Sequence, residues 1–410
     1  MKAFHELHNF VQEQQSQISN WFDAQWKNLK PLPYFSCDIR HSGFKIGIVD
    51  TNLFPGGFNN LCASYSRKAE TALQQYFKNN HPTAKKIALL AESHTRNKFY
   101  LLNVLRLQQF IIDAGLECNV TMADLPDHLE ERTTIPLDQD KTLVVLKPHL
   151  DDQNKIVLGE DFLPDLILSN NDFSAGVPQP FAECQTPLIP DSNLGWHTRR
   201  KNTHFKILSE LFDAFGKEFN IDAWHLTPIS KTVSGVAPDQ LEHLASEVDV
   251  LISEITQKYK EYQISETPHV FIKNDSGTYG MGVLMVNSGQ DVLELNRKKK
   301  NKLFSSRSDQ ANQFLLQEGI PTSDSYSGYP IEPVIYGIGK GGVGGFFRFH
   351  TRKSPYESLN SPGMSFSCLC LHKLDEPHES DFIDCKAKRE LVFLSNFLAE
   401  FAALAAAKEA

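Results

Sequence analysis

The sequence predicts an α/β protein with some α+β character and more than one domain. Three observations carry that expectation. The 410-residue chain is longer than one hydrophobic core usually serves, so two or three domains are expected. Over residues 61–190 short apolar runs alternate with helical patterns, as in a parallel sheet covered by helices. After "TPHVFIK" the chain becomes strand-rich and glycine-rich to about residue 350.

The elements follow in order. Residues 4–28 place Phe4, Leu7, Phe10, Val11, Ile18, Trp21 and Phe22 near helical spacing, and "PLP" at 31–33 stops that helix. Residues 35–52 read as two strands joined at "HSG". "LCASYSRKAETALQQYF" is helical. "KKIALLAE" is a buried strand, "NKFYLLNVLRLQQFIIDAG" a helix ending at Gly115, and "LECNVTM", "TLVVLKP" and "DLILSNND" are further strands. Helices are expected over 200–216 and 238–262, the second with Pro238 in first helical position. A last helix spans 386–408, with Leu391, Leu394, Leu398 and Phe401 on one face.

Composition excludes several classes. Hydrophobic residues make 41% and charged residues 22%, an ordinary globular mixture. A net charge of −9 argues against a nucleic-acid partner, although a local basic site can still take a polyanion. Apolar runs fall short of the roughly 20 residues that span a bilayer, so no membrane partner is expected. The first residues are not a signal peptide, and the seven scattered cysteines suit reduced thiols in a cytoplasmic protein. A homo-oligomer is compatible with all of this.

"VFIKNDSGTYGMGVLMV" (270–286) is a strand, a glycine-rich tip and a return strand. Lys273 precedes the glycines, so this is not a Walker loop, whose lysine follows them. A glycine hairpin over a strand lysine suits nucleotide phosphates, because backbone N–H groups come close only where side chains are absent. An ordinary surface hairpin would read the same way. "GIGKGG" (337–342) fits G-x-G-x-x-G, yet a strand-like run follows it where a dinucleotide site needs a helix. In that run Arg348 could face a phosphate or carboxylate bidentately, or the solvent. Gln317 and Glu318 end a buried strand and could serve an adenine and ribose.

"CDIRHSGFKIGIVDTNLFPGGFNN" (37–60) places Asp38 across a hairpin from Asp50 and Asn52. The latter two share a face, being two apart on a strand. Three hard oxygens can converge there on magnesium. Taken alone, Asp-x-Asn before Pro-Gly is also simply a turn with Asx hydrogen bonding.

Together, the strand lysine, glycine hairpin, strand acid and later arginine resemble the ATP-grasp superfamily. In that superfamily two magnesium ions are held by an acid and an acid-x-Asn near the end of the domain. Asp38 and Asp50-Thr-Asn52 match that ending but lie at the front, so the resemblance implies a circular permutation. The chain resembles, essentially end to end, the proteobacterial type of the glutamate–cysteine ligase family. The words that carry this are "CDIRHSGFKIGIVDTNLFPGGFNNL", "LILSNND", "GWHTRRKNTHF", "VFIKNDSGTYGMGVL" and "GKGGVGGFFRFHT".

The resemblance implies a permuted ATP-grasp-like domain with a parallel-sheet α/β domain beside it. The N-terminal helix and permuted strands would occupy 1–60, a substrate-side α/β domain 61–200, a helical connecting region 201–268, and the nucleotide-binding domain and last helix 269–410. It implies ligation of L-glutamate, through its γ-carboxylate, to L-cysteine with ATP and magnesium. Lys273, Arg348 and Arg40 would act in catalysis. Lys201 or Lys206, with Ser276, Gly277, Tyr279, Gly280, Gln317 and Glu318, would hold ATP. Asp38, Asp50 and Asn52 would hold metal, and Arg40, Asn170, Asn171, Asp172 and Arg199 or Arg200 would read substrate. Another ATP-grasp ligase, such as a glutathione synthetase, and a non-catalytic nucleotide-binding protein are the alternatives.

Overall fold

The computed structural model describes residues 2–123, 131–138, 140–276, 282–304, 313–369 and 385–410. The expected first helix is two, α1 (Lys2–Glu13) and α2 (Gln15–Gln25), because Gln14 leaves helical geometry at ψ 15. Their apolar faces bury Phe4, Leu7, Val11, Ile18 and Phe22. β1 (Phe35–His41) and β2 (Ile46–Asn52) form the expected hairpin.

α3 (Ala63–Asn80), β3 (Lys86–Ala91), α4 (Lys98–Asp113) and β4 (Glu117–Met122) alternate as read from the sequence. β5 (Arg132–Asp138), β6 (Lys141–Leu146), the short ribbon β7 (Pro148–Leu150) and β8 (Ile156–Leu158), β9 (Leu166–Ser169) and β10 (Leu188–Ile189) follow. They build a sheet of order β10-β9-β3-β4-β6-β5, parallel except for β5 on β6.

Next come α5 (Lys201–Phe219), β11 (Ser230–Val233) and α6 (Glu242–Glu261). Pro238 does not open α6, contrary to expectation. It sits in a tight turn closed by Gln240 N–H on the Ala237 carbonyl at 3.0 Å. Proline's fixed φ suits the second position of such a turn equally well. β12 (Val270–Asn274) and β13 (Val283–Val286) make the glycine hairpin, followed by α7 (Gly289–Leu293), α8 (Arg297–Phe304) and β14 (Phe314–Glu318). An antiparallel sheet β11-β14-β12-β13 results.

β15 (Ser325–Tyr326), β16 (Tyr329–Ile338), β17 (Gly341–Phe349), β18 (Ser365–Cys368) and α9 (Cys385–Glu409) complete the described chain. The G-x-G-x-x-G segment is thus the β16–β17 hairpin, as its strand-like sequel suggested. The first hairpin joins it in one antiparallel sheet, β18-β17-β16-β1-β2. Strands from opposite ends of the chain are therefore neighbours.

Among the described residues the buried apolar side chains form two clusters. The larger joins the parallel and large antiparallel sheets with α9; the smaller lies under α6 and the four-stranded sheet. Residues Arg389–Glu409 are long and apolar enough to cross a membrane by length and composition, which counting apolar runs missed. Yet 83% of its apolar 18-residue window is buried within the fold, where Phe401 stacks on Phe212 at 4.2 Å. It is a core helix.

Candidate active site

The large sheet carries a row of charges on one face. Asp38 stands opposite Asp50 across β1–β2, and Glu332 opposite Arg348 across β16–β17. Arg348 donates from Nη1 to Asp38 Oδ2 at 2.6 Å and to Glu332 Oε1 at 2.7 Å. Arg40 donates from Nε to the other Glu332 oxygen at 2.8 Å, and its remaining nitrogens reach the carbonyls of Ile320, Pro355 and Glu357. Glu332 thus bridges two arginines and was not read from the sequence. Its only signal there is a lone acid in the apolar strand "YPIEPVIYGI".

The four-stranded sheet faces this row. Lys273 Nζ donates to the Val49 carbonyl at 2.5 Å and to Gln317 Oε1 at 2.6 Å. Lys201, first residue of α5, donates to Asp50 Oδ1 at 2.9 Å. Asp275, at the base of the glycine hairpin, accepts from the Asn202 N–H at 2.8 Å and so caps α5 from outside it. The hairpin and Lys201 are thereby fixed together. Asp38, Arg40, Asp50, Lys201, Lys273, Gln317 and Glu332 are among the residues that line one cavity, so residues far apart in the chain share it. Lys206 lines a separate groove with Lys231.

Period-two alternation separates Gln317 from Glu318. Gln317 faces the cavity, and its buried Nε2 has no partner among the described residues. Glu318 faces the other way, where it accepts from Lys45, the Ile229 N–H and the Trp224 indole. This carboxylate is fully buried and already satisfied. Alanine at Glu318 would strand the Lys45 ammonium, which burial already pushes down to about 8 despite its partner. Urea unfolding of Glu318→Ala should therefore show a loss of about 3–5 kcal/mol. A loss under about 1 kcal/mol would mean the site admits water.

A second cavity of about 340 Å³ adjoins the first and is lined by Asp38, Asp50, Asn52, Asp172, Trp196 and Arg348, among others. Asn52 also accepts from the Phe54 N–H at 3.0 Å, the Asx turn that the sequence allowed. Gly57 then holds φ +104, and a Cβ there would meet the Tyr336 hydroxyl at 2.6 Å. Of the 170–172 trio, Asp172 alone lines the cavity. Asn170 bonds Asn103 and the Pro55 carbonyl, and Asn171 caps the Phe173 N–H. Arg199 is engaged by Glu409 and the Thr51 carbonyl, and Arg200 by the carbonyls of residues 197–199. Ser276 bonds Asn274; Gly277, Tyr279 and Gly280 lie outside the described residues.

Electrostatics set the charge states. Burial opposes ionisation of Asp50, but Lys201 and Lys273 outweigh it and hold the carboxyl well below the usual range. Asp38 is pushed up, by burial first and then by Glu332 and Asp50, with Arg348 opposing. A carboxylate crowded by other carboxylates among hard oxygen donors is what a divalent cation relieves. The donor set Asp38, Asp50 and Asn52 therefore fits magnesium.

The family profile described as GshA, glutamate-cysteine ligase, matches residues 8–410. The chain belongs to this glutamate-cysteine ligase family. Glutamate-cysteine ligases of the GshA family are ATP-dependent enzymes of glutathione biosynthesis and use a divalent metal, and this chain is such a ligase. A crystal structure described as a gamma-glutamylcysteine synthetase from Methylobacillus flagellatus KT superposes with a TM-score of 0.86 at 33% identity, covering 99% of this chain and 96% of that one. D-alanyl-alanine synthetase A from Vibrio cholerae aligns over 76% of this chain and 81% of that one at 10% identity; its TM-score of 0.33 carries no argument. No curated protein matches the chain. The mixed α/β fold expected from the sequence is the one this family shares.

Proposed function

We propose that ATP lies between the four-stranded and large sheets and phosphorylates the γ-carboxylate of glutamate. The reading is supported above all by Lys273 and Asp50 meeting across the first cavity. A carboxylate cannot release oxide at neutral pH, so it must first be activated. The terminal phosphoryl group moves to a γ-carboxylate oxygen, giving γ-glutamyl phosphate and ADP. The cysteine amine then attacks the acyl carbon, the bond to phosphate breaks, and the nitrogen loses its proton. Such transfers depend on positioning and charge neutralisation, not on a protein nucleophile.

In this reading Lys201 and Lys273 contact phosphates, and Lys201 is preferred to Lys206 because it shares the cavity. Asp38, Asp50 and Asn52 would hold two magnesium ions, which supply further charge neutralisation. The second cavity takes the amino acids. Asp172 there suits a substrate ammonium, and Arg348, which lines the same cavity, suits a carboxylate or the transferred phosphoryl group. Arg40 and Glu332 hold Arg348 in place. The placement of β1–β2 beside β16 supports a circular permutation of the ATP-grasp order.

Incubation with ATP, magnesium, L-glutamate and L-cysteine should release phosphate and form γ-glutamylcysteine, followed by mass spectrometry. Phosphate release with γ-glutamylcysteine and glycine instead would reassign both the activated carboxylate and the attacking amine, and silence with every amino-acid pair would sink the ligase chemistry.

A further inference from the structure

Glu409, in the last turn of α9, lines neither cavity, yet its side chain is 4% exposed and carries three charge-assisted contacts. Its Oε2 accepts from Arg199 Nε at 2.8 Å, its Oε1 accepts from Arg199 Nη2 at 3.1 Å, and His204 Nδ1 bonds the same Oε1. A carboxylate at Nδ1 requires the imidazole proton there. Burial opposes ionisation of Glu409, but Arg199 and then His204 hold it down to about 2.

The two partners lead to the candidate site by separate routes. The remaining Arg199 nitrogen, Nη1, donates to the Thr51 carbonyl at 2.9 Å, between Asp50 and Asn52. His204 lies three residues beyond Lys201 on α5, so the two are neighbours on one helix face. Lys201 in turn holds Asp50. One carboxylate thus ties down both the strand bearing the metal oxygens and the helix bearing the cation that faces them. Stability alone is a weak reason for such a cluster, because apolar side chains of similar volume often do as well as buried ion pairs.

We infer that Glu409 is a positioning residue for the metal-binding strand, acting through Arg199 and the Thr51 carbonyl. The inference rests on the proposed metal role of Asp50 and Asn52. Its test uses Glu409→Gln, which keeps the shape and loses the charge, and Arg199→Lys. Lysine cannot reach Glu409 and Thr51 together as the guanidinium fork does, but it keeps the buried charge paired.

Mn²⁺ affinity is measured by electron paramagnetic resonance with ADP present, alongside thermal unfolding and the Michaelis constants for magnesium and glutamate. Arg199→Lys is expected to unfold within a few degrees of the parent. Both variants should bind Mn²⁺ about tenfold more weakly and turn over about 100-fold more slowly, the scale of a small misplacement of reacting groups. The magnesium constant should rise and the glutamate constant hold. Parental Mn²⁺ affinity in folded Arg199→Lys overturns the inference. Asp50→Ala in the same assay separates the two claims. If it loses Mn²⁺ while the other variants keep it, only the positioning role fails; if it keeps Mn²⁺, the metal reading fails first.

Discussion

Alanine in place of Asp50 is expected to lower turnover by about 1,000-fold, roughly 4 kcal/mol of transition-state stabilisation, while ATP still binds. Two effects oppose each other at this position. The carboxylate is proposed to supply a metal oxygen, and phosphoryl transfer without that charge neutralisation is slow. The same carboxylate also partners Lys201 and lies near Lys273. Removing it leaves two ammonium groups facing the cavity, which attracts phosphates. Nucleotide affinity should therefore fall far less than turnover. Phosphate release and calorimetric titration with ATP measure the two quantities on one preparation. Unchanged turnover would take Asp50 out of the metal set. Because Asp50 stays ionised far below neutrality, any acid limb near pH 5–6 in the parent belongs to another group.

Methionine in place of Lys273 should lower kcat/KM for ATP by about 100- to 1,000-fold at neutral pH, the scale of losing one preorganised charge donor. Burial pushes the Lys273 ammonium down to about 8, with Asp50 pulling the other way. The cation is the form that takes phosphate. Below about pH 8 the free enzyme holds it, and above that pH kcat/KM should fall tenfold per unit. Lys273→Arg keeps the charge at every pH, so its profile should lose this limb. A parental limb that persists in the arginine variant would assign it elsewhere. In the same window the unfolded chain keeps the proton that the folded protein has lost, so this residue makes stability rise with pH between about 8 and 10.5.

Much of the site was legible because it rests on local rules. Strand alternation placed Asp50 and Asn52 on one face, and hairpin pairing placed Asp38 across from Asp50. The glycine hairpin with Lys273 at its base was legible for the same reason. The same alternation could have separated Gln317 from Glu318, had the buried face been known. Gln14 breaks a pattern that looked like one helix, and Pro238 serves a turn where a helix start looked equally good. α9 escaped the count of apolar runs because scattered charged residues interrupt it.

What the sequence alone determined was the set of hairpins and helices, and the residue types able to meet a nucleotide and a metal. Tertiary structure decided which charges remain for ligands. Arg199 looked as available as the other arginines, but Glu409 claims it from 210 residues away, whereas Arg40 and Arg348 share Glu332 and still line the two cavities. A buried ion takes the nearest partner that satisfies its hydrogen bonds, since an unpaired one is too costly to bury. Nearness of that kind is a property of packed sheets and helices, and residue spacing along the chain does not encode it.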